Sequence, residues 1–276
     1  MREIAIVAAK EFRDGLRNRW VLATTLAFAV LAIALAWFGA AAAGQIGFTR
    51  ISTTIVSLAS LAVFLIPLIA LMMAYDSIVG EDEKGTLLLL MAYPISRVGL
   101  LAGKFLGHAG MLALSTALGF GIAAAVIGLV AEEAAFADLL GPFSLFIGSA
   151  ILLGWAFLAL AYLISTITRE KARAAGLALL AWFLFVLIYD LALLGVLVGT
   201  EGRVDQGLFQ VLLLINPTDV FRLVNLTGFE EAAAASGMLS VVAEQGFSVG
   251  RLMGILAAWT VLPLALAAAL FAARRH

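Results

Sequence analysis

Six long stretches of almost uninterrupted apolar residues alternate with shorter stretches that carry the charged side chains. The apolar stretches lie at about 20–43, 53–75, 105–130, 142–167, 174–199 and 250–273. A helix needs about 20 apolar residues to cross roughly 30 Å of hydrocarbon, whereas the strands of a membrane barrel show short segments of alternating polarity. The pattern therefore predicts an all-α integral membrane protein with six membrane-spanning helices, forming a single domain over residues 1–276.

Composition supports this class and excludes several chemistries. Hydrophobic residues make up 64% of the chain and charged residues 13%, against about 45–50% and about 25% in soluble domains. Cysteine is absent, which excludes disulfides, thiolate metal sites and cysteine nucleophiles. The net charge of −1 and the lack of a long basic run argue against binding to nucleic acid.

The first 19 residues show a helical alternation of apolar and charged positions. The apolar face carries Ile4, Ala8, Phe12 and Leu16, and the polar face carries Lys10, Arg13, Asp14 and Arg17. Residues 2–19 are therefore predicted to form an amphipathic helix in the membrane interface, with its cations near lipid phosphates. The alternative is a solvated leader segment.

Lysine and arginine are distributed unevenly among the connecting segments. Thirteen of them fall in the N-terminal segment, residues 76–104, residues 168–173 and the C-terminal tail, and four fall on the other side of the predicted spans. The bias predicts that both termini are cytoplasmic and that residues 200–249 lie outside. In that outer segment, Asn216, Pro217 and Asp219 have the order expected at a helix start, and a second short helix is expected near 230–244.

No catalytic residue, metal site or cofactor site is predicted in this chain. The only histidines, His108 and His276, are read as structural or incidental, and the phosphate-loop-like run at 99–105 has the wrong glycine spacing and lacks the Ser or Thr after Lys104. Asp190 is the one acid well inside a predicted span, so it should face a cavity or a partner, or stay protonated. Because the sequence indicates no second acid beside it, a proton- or ion-driven carrier is disfavoured.

Glycines recur every fourth residue at two places, which favours close approach of helix backbones. The repeats are Gly99, Gly103 and Gly107, and Gly250 and Gly254. Packing within the chain is favoured over a dimer seam.

Residues 76–97 form the most informative polar segment. An acidic turn at 81–83 precedes a short apolar helix that should end at Tyr93, before Pro94. Because four consecutive leucines at 87–90 would be poorly placed in water, the segment is predicted to dock against a neighbour rather than to be a solvated loop.

This segment resembles the ABC-2 type permease family, whose hallmark is E-x-E-x-G-T-L followed by P-[IV]-S-R and G-K. The matching residues are Glu81, Glu83, Gly85, Thr86, Leu87, Pro94, Ile95, Ser96, Arg97, Gly103 and Lys104. The resemblance implies a type V exporter-like permease that works as a dimer with a second copy of itself. It also implies that the segment is a coupling helix bound in a cleft of a cytoplasmic ATPase dimer, which holds the ATP and Mg²⁺. The ATPase-coupling residues so indicated are Glu81, Asp82, Glu83, Lys84, Gly85, Thr86, Leu87, Leu88, Pro94 and Arg97.

Further segments resemble the permeases of nitrous oxide reductase maturation transporters. They are residues 15–20, 37–39, 44–48, 74–76 and 216–222. The resemblance implies a multi-pass protein of the bacterial inner membrane, a periplasmic β-helical accessory protein as partner, and a role in assembling the copper sites of the reductase. It places Asn216, Pro217, Asp219 and Arg222 at a periplasmic partner or gate. The alternatives are an ABC-2 exporter of a lipid, drug or peptide, a secondary carrier or channel, and an intramembrane enzyme, for which no nucleophile–base pair is found.

Overall fold

The protein is a bundle of long helices. The structure is a computed structural model, and it describes residues 2–17, 19–38, 51–130, 136–201, 203–227 and 247–274, in which every regular element is helical. The helices are α1 (Arg2–Arg17), α2 (Trp20–Phe38), α3 (Ile51–Ala74), α4 (Val79–Glu83), α5 (Thr86–Met91), α6 (Arg97–Val130), α7 (Phe136–Ile167), α8 (Lys171–Phe183), a π-helical segment (Leu184–Ile188), α9 (Tyr189–Gly199), α10 (Gln206–Ile215), α11 (Pro217–Thr227) and α12 (Val249–Ala273). Among the described residues, six stretches are long and apolar enough to cross a membrane, which confirms the predicted number of spans.

Several predicted boundaries differ from the observed ones. The third span starts at Arg97 rather than near 105, because the Ser96 hydroxyl accepts a hydrogen bond from Gly99 N (3.0 Å) and starts the helix earlier. The fourth starts at Phe136 rather than 142. Residues 81–83, predicted to form an acidic turn, belong to helix α4. Residues 39–43 and the helix expected near 230–244 lie outside the described residues.

Helix α1 packs along the first half of α6, where glycines let the two backbones come close. A Cβ atom on Gly107 would lie 2.8 Å from the Ala8 carbonyl oxygen and 2.6 Å from the Glu11 Cβ. One on Gly103 would lie 3.0 Å from the Ile4 carbonyl oxygen. The first glycine repeat therefore serves packing within the chain, as predicted.

The buried face of α1 is rotated relative to the predicted one. Gly15 is buried, whereas Leu16 is 45% exposed. The second glycine repeat, at 250 and 254, has no described atom within 4 Å of either Cβ position. Sequence spacing alone did not separate these two repeats, because only the first faces a neighbouring helix in the described part of the chain.

Aromatic rings connect the spans through the core. Phe120 of α6 stacks on Phe28 of α2 with 5.0 Å between ring centroids, and meets Phe146 of α7 edge to face at 4.8 Å. Phe146 is also 6.1 Å from Phe221 of α11. Offset and edge-to-face pairs of this kind add to the stabilisation from buried area. The row links α2, α6 and α7 to α11, so α11 belongs to the bundle and is not a loose outer loop.

We expect Gly107→Ala to destabilise the protein by about 1–3 kcal/mol, because the added methyl group would meet the α1 backbone. Gly121→Ala is the matched control, since it adds the same group to the same helix where no described atom lies within 4 Å. Thermal unfolding of both variants in one detergent checks this. Equal midpoints would contradict the proposed close approach of α1 and α6.

Candidate functional site

The start of the α4–α5 segment (residues 79–91) is held by a buried serine of α7. The Ser165 hydroxyl accepts hydrogen bonds from the backbone N–H groups of Ile78 (3.0 Å) and Val79 (3.1 Å). These are donors that a helix leaves unpaired at its N-terminus. Ser165 is fully buried, so the start of α4 is fixed to the end of the fourth span.

The three acidic side chains of α4 each bind a different part of the bundle. Glu81 pairs with Lys104 of α6 (3.3 Å), and its carboxylate accepts a hydrogen bond from the Thr86 hydroxyl. Asp82 pairs with Arg274, directly after α12 (3.2 Å). Glu83 accepts a hydrogen bond from the backbone N–H of Lys171 at the start of α8 (2.5 Å). Short α4 therefore contacts the ends of three spans through its carboxylates alone.

Lys104, which matches the G-K element of the family motif but for which the sequence predicted no contact, lies at the centre of this network. Its side chain is 5% exposed and contacts Glu11 of α1 (2.9 Å) as well as Glu81 of α4. Burial by itself would raise the pKa of Glu11, but the charge and hydrogen bond of Lys104 outweigh burial, and the pKa is lower than the ordinary value of 4.5. The contribution of this pair to stability is present above pH 4.5 and is lost as the pH falls through the lowered pKa.

The α5 half of the segment presents its apolar side chains outward. Gly85 begins α5 in the left-handed region (φ 69°), which glycine adopts without strain. Leu87 is buried, whereas Leu88, Leu89 and Tyr93 are 61%, 67% and 69% exposed. The segment therefore has an exposed apolar surface, as expected of a docking element, and its most exposed members are these three residues.

The remaining residues predicted in this segment lie at its edges. Lys84 and Pro94 are exposed. Arg97 donates hydrogen bonds to the carbonyl oxygens of Phe271 (3.3 Å) and Arg274 at the end of α12. Arg97 thus joins the start of the third span to the end of the sixth.

A second polar cluster lies farther along the fifth span. Arg222 of α11 donates from Nη1 to Asp190 Oδ2 (2.6 Å) and to Asp219 Oδ1 (3.0 Å). We call these three residues the outer charge cluster. The expectation that no second acid accompanies Asp190 is therefore wrong: α10 and α11 are bent by 112° at Asn216, which brings α11 back against the spans and places Asp219 beside the same arginine.

The π-helical segment supplies the attachment point for the start of α11. A π turn leaves a backbone carbonyl without its usual helical donor. The Phe185 carbonyl oxygen accepts hydrogen bonds from Asn216 Nδ2 (2.9 Å) and Thr218 Oγ1 (3.2 Å). Asn216 Oδ1 accepts from Thr218 N (3.0 Å), so the predicted cap is confirmed. Asn216, Pro217 and Asp219 are buried, and no sequence pattern indicated the π turn.

His108 makes its hydrogen bond outside both clusters. His108 Nδ1 lies 2.7 Å from the Tyr162 hydroxyl in the core, which agrees with a structural role, and His276 lies outside the described residues. Within the part of the chain that the structure describes, no three His, Asp or Glu side chains lie close enough to hold a metal ion.

The whole chain is similar to known transporter proteins. The profile of the ABC-2 family transporter protein matches residues 5–275. The sequence is 53% identical over 274 residues to the "Probable ABC transporter permease protein NosY" of Stutzerimonas stutzeri, covering 99% of both chains. It is 55% identical over 268 residues to the protein of the same name from Pseudomonas aeruginosa, covering 97% of both chains.

Lys104→Met is expected to destabilise the protein by about 3–5 kcal/mol, because it leaves Glu11 and Glu81 without their buried cation. Lys10→Met removes a 59% exposed lysine from the same network and should cost about 1 kcal/mol or less. Denaturant unfolding in mixed micelles measures both. Adding Glu11→Gln and Glu81→Gln to Lys104→Met should recover most of the loss, and a triple variant as unstable as Lys104→Met would contradict the electrostatic reason.

Proposed function

The chain belongs to the ABC-2 family of transporter proteins and is the permease of an ABC transporter, and from this premise we propose that it serves the maturation of the copper sites of nitrous oxide reductase. The observation that carries the proposal is the similarity to two NosY permeases along at least 97% of every chain compared. The aligned regions include the α4–α5 segment and the 216–222 motif, and each of these contributes residues to one of the two polar clusters.

The α4–α5 segment is the proposed contact with a cytoplasmic ATPase subunit, which binds the ATP and Mg²⁺. Its two faces suit different tasks. Leu88, Leu89 and Tyr93 are exposed beside polar groups at a span end, where a protein cleft is the favourable environment for them. The acidic side chains point the other way, into the permease. We therefore assign binding of the ATPase to the exposed apolar side chains, and transmission of its movement to Glu81, Asp82 and Glu83.

A movement of α4 reaches the outer half of the protein along continuous contacts. Glu83 holds the start of α8, and α8 continues through the π-helical segment into α9. The π-helical segment holds Asn216, and Asp190 of α9 holds Arg222, so α11 follows the fifth span. Parallel paths run from Lys104 to α1 and α6, and from Asp82 to the end of α12. ATP hydrolysis on the cytoplasmic side is thus proposed to change the shape of residues 200–249 on the outer side.

The proposed assembly has two copies of this chain, the ATPase dimer and a periplasmic β-helical accessory protein, in the bacterial inner membrane with both termini cytoplasmic. The side chains of α8 and α9 are the least buried of the six spans within one chain, which leaves their apolar face free for a second copy. Basic residues at the α4–α5 end support the cytoplasmic orientation. Arg13 and Arg17 on the exposed side of α1 suit lipid phosphates.

Leu88→Glu combined with Leu89→Glu should abolish co-purification of the ATPase subunit, because it places two charges in the proposed apolar contact. Insertion and thermal stability should stay unchanged, since both side chains face outward. Arg173→Glu, at a 73% exposed side chain near the same end of the bundle, is the control and should retain the ATPase. Normal ATPase recovery with the double variant would overturn the assigned contact.

Complementation tests the biological role. In Stutzerimonas stutzeri lacking its own NosY, this chain should restore copper to nitrous oxide reductase, and the Leu88→Glu/Leu89→Glu variant should leave the reductase copper-deficient. Copper content of the purified reductase is the measurement. A wild-type chain that inserts and retains the ATPase, yet restores no copper, would exclude the maturation role and favour the alternative of a lipid, drug or peptide exporter.

A further inference from the structure

The outer charge cluster contains more acid than base. Asp190 and Asp219 share the single guanidinium of Arg222, so the cluster carries one surplus negative charge when both carboxyl groups are ionised. The side chains of Asp190, Asp219 and Arg222 are 32%, 3% and 20% exposed. An unbalanced charge at such a site within a membrane protein is costly, and it is usually neutralised by a partner or by a proton.

Hydrogen bonding within the cluster is complete on one carboxyl group and incomplete on the other. Asp219 accepts from Arg222 through Oδ1 and from Asn216 Nδ2 through Oδ2 (3.1 Å). Asp190 accepts from Arg222 through Oδ2 only. Its Oδ1 is buried and has no donor among the described residues. A bare buried carboxylate oxygen costs free energy, and protonation of the pair removes that cost.

The elements packed around α11 supply no second cation in the part of the chain whose side chains are described. Helix α3 has no ionisable residue between 51 and 74. On α7, Tyr162 lies toward the other end and pairs with His108. At the start of α12, Arg251 lies over the ring of Phe247. Tyr189, next to Asp190 in the chain, donates its hydroxyl hydrogen to the Leu212 carbonyl (2.6 Å).

A cavity borders the cluster at Arg222. It has a volume of about 330 Å³, lies between α3 and α11, and is lined by Arg222 and Asn225 together with mostly apolar residues of α3. Asn225 is 1% exposed, and its Nδ2 is used by Ser149 Oγ (3.1 Å) and the Phe221 carbonyl. Its Oδ1 is buried and has no donor among the described residues. The cavity is large enough for water, which can donate to Asn225 Oδ1 and accept from the guanidinium.

We propose that the outer charge cluster is a proton-binding site, in which Asp190 and Asp219 hold one proton between them and exchange it with water in the cavity beside Arg222. The proton comes from water and returns to water, and no other group changes its charge. With the proton bound the cluster is neutral, and α11 is held against the fifth span. Without it, two carboxylates compete for one guanidinium, and their repulsion loosens α11.

The site goes beyond the proposed role in maturation, because it depends neither on the ATPase nor on the identity of any cargo. It would also make α11 respond to pH as well as to ATP. ATP would act on α11 from one side through α8 and the π-helical segment, and the proton concentration would act on it from the other. The expected direction is a docked α11 at acidic pH and a loosened α11 at alkaline pH.

Infrared spectroscopy of the full chain in lipid nanodiscs observes the proton directly. The wild-type protein at neutral pH should show the carbonyl band of a protonated carboxylic acid, with the expected shift in D₂O. Asp190→Asn and Asp219→Asn should each remove the band, because either change leaves one carboxylate and one guanidinium and hence a neutral cluster. Asp205→Asn, in the exposed N-cap of α10, is the matched control and should keep the band. A spectrum without the band, or a band that survives in both cluster variants, would overturn the proposal.

The absence of native cysteines allows a conformational test with two spin labels. Val211→Cys on α10 and Leu194→Cys on α9 place the labels at positions that are 54% and 48% exposed. The distance between the labels should lengthen or broaden as the pH is raised from acidic to alkaline values. The same double-labelled chain with Asp190→Asn should show no pH dependence. Because α10 joins α11 directly at Asn216, a pH-independent distance in the wild-type background would contradict the proposed loosening of α11, even if the infrared band were present.

Discussion

The requirement that charge inside a membrane protein be paired governs both ends of this bundle. Lys104 is acceptable at 5% exposure because Glu11 and Glu81 lie within 3.3 Å of it. That pairing fixes α1 and α4 onto α6. Arg222 in the same way brings Asp190 and Asp219 together and fixes α11 onto the fifth span. The apolar surfaces drive the spans into the membrane, but these ionic contacts determine how the short elements sit on them.

The two clusters are connected by one nearly continuous helix. The fifth span starts at Lys171, where its backbone meets Glu83, and runs through the π-helical segment to Asp190 and beyond. The π turn is the one described interruption of its regular hydrogen bonding, and there the first residues of α11 bind to the Phe185 carbonyl. A span that holds a short helix at each end is well suited to carry movement between them. This supports the proposed transmission from an ATPase to an outer partner.

The acidic motif of the α4–α5 segment faces the permease and not an outside partner. The carboxylates that identify the family contact the permease's own helices, and the exposed leucines and Tyr93 remain for another protein. In the structure of one chain, therefore, the acidic motif residues contact the permease itself, on the side of the segment that faces the bundle. We accordingly expect substitutions of the acids and of the leucines to have different consequences, the former on transmission and the latter on binding.

The sequence by itself determined the properties that depend on local composition or short-range geometry. Uninterrupted apolar stretches are sufficient for six spans, and the cap at Asn216 follows from the order of three neighbouring residues. It did not predict the partners of Lys104 and Asp190. Lys104 is 93 residues from its partner Glu11 along the chain, and Asp190 is 32 residues from its partner Arg222. Those contacts depend on the rotation of each helix about its axis, on the bend between α10 and α11, and on a π turn without a sequence pattern. Only tertiary packing decides these features, because lipid-facing and protein-facing positions of an apolar helix carry the same kinds of residue.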